Sequence, residues 1–196
     1  MWQKIKKWYY EIKKNVTWFL GDIEIFAQPF WLILWGDHHY KIKGHHQRKV
    51  LALLKPGDVL LRKYDHYLGS RFIPGYWSHA AIYIGNDSVI HALGIGVVEE
   101  DILTFMRCDD IAILRQNDTK LIDMSLFRAD EQLGKEYDFD FDKSGPEKFY
   151  CTELVNFCFI YPKFSKELGK IIYPDDLLHS IWYVIWGGRR YENIGD

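Results

Sequence analysis

At 196 residues and 48% hydrophobic content, the chain is long enough for one domain with a full core and an appended segment. A formal charge of −2 excludes a general nucleic-acid binder, and an odd count of three cysteines excludes a disulfide scaffold and fits a reducing, cytoplasmic compartment. An aromatic content of 17%, with eight tryptophans, points to an aromatic-lined groove or a surface that meets lipid.

Residues 1–20 carry a helical pattern. Trp2, Ile5, Trp8, Ile12, Val16 and Phe19 recur at spacings of three and four, with Lys4, Lys7, Glu11 and Lys14 on the other side. Two readings are open: a helix lying in a membrane interface, or a helix docked on its own domain with a solvated lysine face. In the docked case the tryptophans pack on residues 23–35 or 181–186. A secretory signal fits poorly, because lysine and tyrosine interrupt the apolar run. The run from Ile23 to Trp35 is too short and too charged to span a bilayer and reads as a strand or a hydrophobic lip. His38, His39, His45 and His46 lie among lysines, with no carboxylate or cysteine to complete a metal set, so a solvated polar loop is expected.

From Val50 the character changes. The turn signature Lys55-Pro56-Gly57-Asp58 precedes a strand at Val59–Leu61, and a long loop from Tyr64 to Trp77 has the length of a functional flap. Residues 78–84 and 88–92 form a hairpin around Gly85-Asn86-Asp87. Pairing Ile84 with Ser88 puts His79 opposite Leu93, and His91 one diagonal step away on the same face. Val97–Glu100 and Ile111–Arg115 read as strands, with Asp101 capping a short helix between them. A helix from Asp118 ends at Gly134. In residues 135–142, Asp138, Asp140 and Asp142 alternate with aromatics and lack the glycine turn of a calcium loop, so no metal is expected there. A short helix after Tyr173-Pro174 and an aromatic strand from Ile181 to Trp186 end the pattern.

Tyr150-Cys151-Thr152-Glu153-Leu154-Val155 reads as a loop turning into a buried helix with a cysteine in its first turn. Free N–H groups and partial positive charge at a helix start can lower a thiol pKa and hold an oxyanion. A neighbouring imidazole adds to this, and the expectation is a thiol at roughly 3.5–7.5. Cys158, two turns on, reads as a core residue.

Five motifs occur in order: Pro56-Gly57-Asp58, the Trp77–Asn86 strand with His79, Val89-Ile90-His91-Ala92, Leu133–Phe141, and Tyr150–Val155 with Cys151. Together they resemble the circularly permuted branch of the NlpC-like, papain-fold cysteine hydrolases, most closely the YiiX/YebB-like group, over roughly residues 50–180. The resemblance implies an α+β, circularly permuted papain-like fold in which a small antiparallel sheet packs on the cysteine-bearing helix. Residues 50–196 would form this domain and residues 1–49 an N-terminal extension. Cys151 matches the nucleophile, His79 the base, and His91 the polar residue that orients the base. YiiX-like members often carry Glu at that third position, whereas histidine there is similar to the lecithin:retinol acyltransferase relatives. Glu99 or Glu100 is the alternative for the third role. The implied function is a thiol hydrolase or acyltransferase acting on an amide or ester bond of a lipid, peptide or other small-molecule substrate. It needs no cofactor or metal and no nucleic acid. The alternative is an inactive ligand- or membrane-binding module on the same fold. Under either reading residues 1–20 are the candidate for peripheral membrane contact.

Overall fold

The computed structural model describes residues 2–21, 24–27, 31–34, 40–65, 67, 69–141, 147–160, 171–179 and 181–189. The first elements are α1 (Trp2–Gly21), β1 (Glu24–Ala27), β2 (Trp31–Leu34), α2 (Gly44–Leu53) and β3 (Val59–Lys63). Next come β4 (His79–Gly85), β5 (Ser88–Leu93), β6 (Gly96–Asp101), α3 (Ile102–Phe105), β7 (Asp110–Arg115) and α4 (Thr119–Glu131). Two short strands, β8 (Glu136–Tyr137) and β9 (Lys148–Phe149), precede α5 (Cys151–Ile160) and β10 (Tyr183–Trp186).

Six strands form one sheet in the order β10-β7-β3-β4-β5-β6, every pair antiparallel. Its central strands are apolar in nearly unbroken runs because both faces are covered. Val59, Leu61, Ala80, Ile82, Ile90 and Ala92 point to the side of α4 and α5, where Ala129, Leu154, Val155 and Cys158 meet them. Leu60, Ala81, Tyr83, Val89, Ile111 and Ile113 point to the opposite side, against Val50 of α2 and Ile102 and Phe105 of α3. An antiparallel sheet packed on the cysteine helix is the α+β arrangement that the motif order implies.

Local chemistry sets the ends of these elements. Asn86 and Asp87 both have positive φ, 49° and 58°, which makes the two-residue turn whose twist matches a hairpin. Asp101 and Asp118 accept backbone N–H groups at the starts of α3 and α4. Asp58, buried after the Gly57 turn, receives a two-pronged Arg115 guanidinium at 2.7 Å and ties β3 to β7.

Before residue 50 the structure differs from the expected polar loop. Gly44–Leu53 is helical, and His46 accepts the Lys43 N–H at 3.0 Å as a cap rather than standing in solvent. The cause is Ile42 and Val50, which anchor this helix in the α3-side core, while the Ile42 N–H bonds to the Cys108 carbonyl. His38, His39 and Asp142 lie outside the described residues. The apolar run after α1 contains an antiparallel β1–β2 pair.

α1 does touch the domain, but not through Trp2 or Trp8. The Tyr10 hydroxyl donates to the Tyr137 carbonyl at 2.9 Å, and its ring meets Phe139 edge-on. Lys13 pairs with Asp140 at 2.8 Å. Trp2 and Trp8 stay 76% and 66% exposed. Among the described residues no helix is long and apolar enough to cross a membrane.

Candidate active site

Tyr150 caps α5: its carbonyl receives the Leu154 N–H at 3.0 Å, and the Glu153 carboxylate reaches back to its N–H at 3.4 Å. Cys151 is therefore the first helical residue, only 7% exposed. Burial pushes its thiol up, against the lowering influence of the Ala80 and Thr152 N–H groups and the Arg62 charge. The expected acid-shifted thiolate is thus not what the surroundings produce. Desolvation outweighs the helix N-terminus, and the resting sulfur is a thiol.

The Ala80 contact exists because the hairpin opens. β4 and β5 pair at Gly85–Ser88, Tyr83–Val89 and Ile82–Ile90, and the ladder stops there. At the open end Ala80 faces the α5 side, so the Cys151 sulfur sits against an amide next in chain to His79. Alternation puts His79 and His91 on the other face, beside the Phe105 ring. Cys151 and His79 thus line one cavity from opposite faces of the sheet.

The His79 Nε2 and His91 Nδ1 atoms are 2.9 Å apart, with the rings nearly perpendicular at 71°. This realises the diagonal, same-face placement expected from the hairpin. Burial lowers the pKa of both imidazoles, and the Arg62 guanidinium lowers both further, so each ring is held neutral. Arg62 is paired with His79 across β3 and β4, lies 4.3 Å over the Phe105 ring, and donates to the Phe105 carbonyl at 3.3 Å.

Behind His91, strand parity separates the two glutamates. Glu100 pairs with Val89 and so shares the face of His91, whereas Glu99 pairs with Ile90 and is exposed. Glu100 Oε2 is 3.6 Å from His91 Nε2, just beyond hydrogen-bond reach, and 3.4 Å from Arg62 Nη1. His91 itself has no solvent exposure, and its Nε2 is a buried nitrogen without a hydrogen-bond partner among the described residues. Neither glutamate takes the place of His91 beside His79. Glu100 stands one layer further back.

Cys151, His79 and Arg62 open on a cavity of about 820 Å³ with Tyr64, Phe72, Tyr137 and Phe139 among its walls. The flap expected between Tyr64 and Trp77 forms part of that wall and is pinned at its end by Asp175, which accepts the Tyr76 and Trp77 N–H groups at 2.9 and 2.7 Å. Sequence reasoning missed Arg62 and Phe105. A lone arginine in the otherwise apolar strand Val59-Leu60-Leu61 was the available signal, since a buried charge needs a reason.

No curated protein and no solved structure matches the chain. A family model described as permuted papain-like amidase enzyme, YaeF/YiiX, C92 family, matches residues 53–187, more than half of the chain and inclusive of Cys151, His79 and His91. The motif order, the antiparallel sheet packed on the cysteine helix and this match agree, and the chain belongs to the permuted papain-like amidases of the YaeF/YiiX family.

Proposed function

We propose that the protein cleaves an amide or ester bond of an apolar acyl substrate, lipid or peptide, by thiol catalysis with Cys151 as nucleophile, His79 as base and His91 as the residue that orients the base. The observation that carries this reading is the 2.9 Å bond between two neutral imidazoles at the sheet end against which the Cys151 sulfur lies.

The proton logic follows from the neighbours. A carboxylate near His91 Nε2 favours the proton on that nitrogen, which leaves His91 Nδ1 as an acceptor. His79 Nε2 then donates to it, and Nδ1 becomes the only basic nitrogen of His79. With the thiol neutral at rest, sulfur–carbon bond formation and proton transfer to His79 Nδ1 go together, as with a serine nucleophile. The tetrahedral oxygen takes hydrogen bonds from N–H groups at the start of α5, an interaction worth about 3–4 kcal/mol per donor. His79 returns the proton to the leaving amine or alcohol, which departs and leaves a thioester. Water then attacks the thioester, giving its proton to His79, and the acid is released as the thiol re-forms. An amine or alcohol acceptor in place of water would make the same step a transfer. The aromatic walls favour acyl groups over charged substrates.

The test is to incubate the whole protein with amide and ester reporters of medium-length acyl chains, quench in acid and weigh it. The expected result is an acyl mass gain on Cys151 that hydroxylamine removes. Absence of any Cys151 adduct, with the acyl reporters still binding, would make the cleft a ligand-binding module.

A further inference from the structure

α1 lies outside the family match yet reaches the cavity: Thr17 lines it, and the helix packs beside the Gly69–Phe72 turn of its wall. At about 100° per residue, Tyr10, Lys13 and Thr17 occupy one narrow arc, and this arc holds the domain. Trp2, Ile5, Trp8, Tyr9, Ile12 and Val16 occupy a different arc of about 120°, centred roughly 110° away. All six are exposed. The stripe they make is about 21 Å long, and no fold argument explains it: a helix docked only for stability would turn this face inward.

Charge shows what covers the stripe. Lys4 and Lys6 border it on its two sides, about 40° beyond each edge, and both are exposed. An apolar stripe edged by lysines, with tryptophans near its margins, matches the headgroup layer of an anionic bilayer, where lysines meet phosphate and tryptophan sits at the interface. A second copy of the chain would bring its own lysines against these and be repelled. The cavity rim continues the surface, since Phe72 on the flap is 74% exposed and Phe141 is also exposed.

We propose that α1 lays its Trp2–Val16 stripe into the surface of an anionic membrane while its Tyr10–Thr17 face holds the mouth of the cleft at that surface. Docking does not depend on the thiol chemistry. The consequence that acyl substrate enters from the lipid does rest on the proposed catalysis.

The experiment is co-sedimentation of the full chain with vesicles of pure phosphatidylcholine and of phosphatidylcholine with a third phosphatidylserine. Binding to the anionic vesicles is expected to exceed that to the neutral ones at least tenfold. It should fall about fivefold for each of Lys4→Gln and Lys6→Gln, and less for Lys7→Gln on the side away from the stripe. High salt should abolish this preference, because at 1 M the screening length is about 3 Å. Trp2→Ser combined with Ile5→Ser and Trp8→Ser should abolish binding while leaving the melting temperature unchanged, since these side chains are exposed. Cys151→Ala should bind as well as the parent, which separates failure of docking from failure of the catalytic reading. Equal binding by the triple variant, or concentration-dependent self-association that the triple variant abolishes without vesicle binding by the parent, would overturn the proposal.

Discussion

α5 carries a cysteine at each end, and the two ends live in different chemistry. Both thiols are buried, and burial pushes both up. At the first turn the sulfur of Cys151 meets backbone N–H groups, those of Ala80 and Thr152 foremost, the Arg62 field and a cavity. Two turns on, Cys158 has no exposure and sits among Val155, Phe159 and Ala129 in the core, with the Arg128 charge as the counter-influence. Burial alone therefore does not distinguish a candidate nucleophile from a packing residue. Donors and an opening do.

The largest expected effect breaks the symmetry outright. Cys151→Ala should reduce turnover of an acyl amide reporter at least about a thousandfold, and adding His79→Ala should cost little more, because the groups act as one unit. Cys158→Ala should stay within about twofold of the parent. Equal losses at both ends, measured as kcat/KM on folded protein, would mean that the first turn has no special role.

Alkylation sharpens the same contrast. Iodoacetamide should modify Cys151 about a hundred times faster than Cys158 in the folded protein, because only Cys151 opens on the cavity. Its rate should keep rising with pH through the alkaline range, as befits a thiol raised by burial. A plateau reaching into acid, read by peptide mass mapping, would instead signal a preformed thiolate–imidazolium pair.

Acid should destabilise the fold through the two buried histidines beside the first turn. In the folded state both His79 and His91 titrate below the ordinary value of 6.5, so below that pH the unfolded chain binds more protons. Stability is full above the unfolded pKa and falls as pH drops from 6.5 toward the depressed folded values, by up to about 1.4 kcal/mol per pH unit for each ring. His91→Gln should flatten the slope seen in denaturant titrations between pH 6.5 and 5. An unchanged slope would show that these rings do not titrate on unfolding in that window.

Much of this was legible in the sequence, and the exceptions share a cause. Hairpin turns, aspartate caps and apolar runs are local, and Asn86-Asp87, Asp101, Asp118 and the strands from Val59 onward appear where their chemistry requires. Cys151, His79 and His91 could be singled out because five weak motifs stood in one order. What was not legible depends on partners distant in sequence. His46 became a cap because Ile42 and Val50 find a core built by residues 60–113. The Cys151 thiol is raised because a sheet edge and a helix start enclose it, and no local rule weighs that desolvation against the dipole. The end of the β4–β5 ladder at Ile82–Ile90, beyond which Ala80 offers its N–H to Cys151, leaves no mark in the hairpin's alternation.

The smallest effect tests the comparison with one atom. Cys151→Ser and Cys158→Ser both replace sulfur by a hydroxyl, which must find a hydrogen-bond partner when buried. At the first turn the Ala80 and Thr152 N–H groups already point at the side chain, so serine should fold almost as well as cysteine while turnover collapses. At position 158 the neighbours are apolar side chains, and the Arg128 guanidinium is engaged with the backbone carbonyl at 2.9 Å. A serine there can bond back to the carbonyl of the preceding turn, which softens the penalty without removing it. The expected cost at 158 is about 1–2 kcal/mol of unfolding free energy, with turnover kept. Urea midpoints at constant m measure both variants. A midpoint drop at 151 as large as that at 158 would mean that the two N–H groups do not serve the side chain, and the claim that donors set the two ends apart would fall.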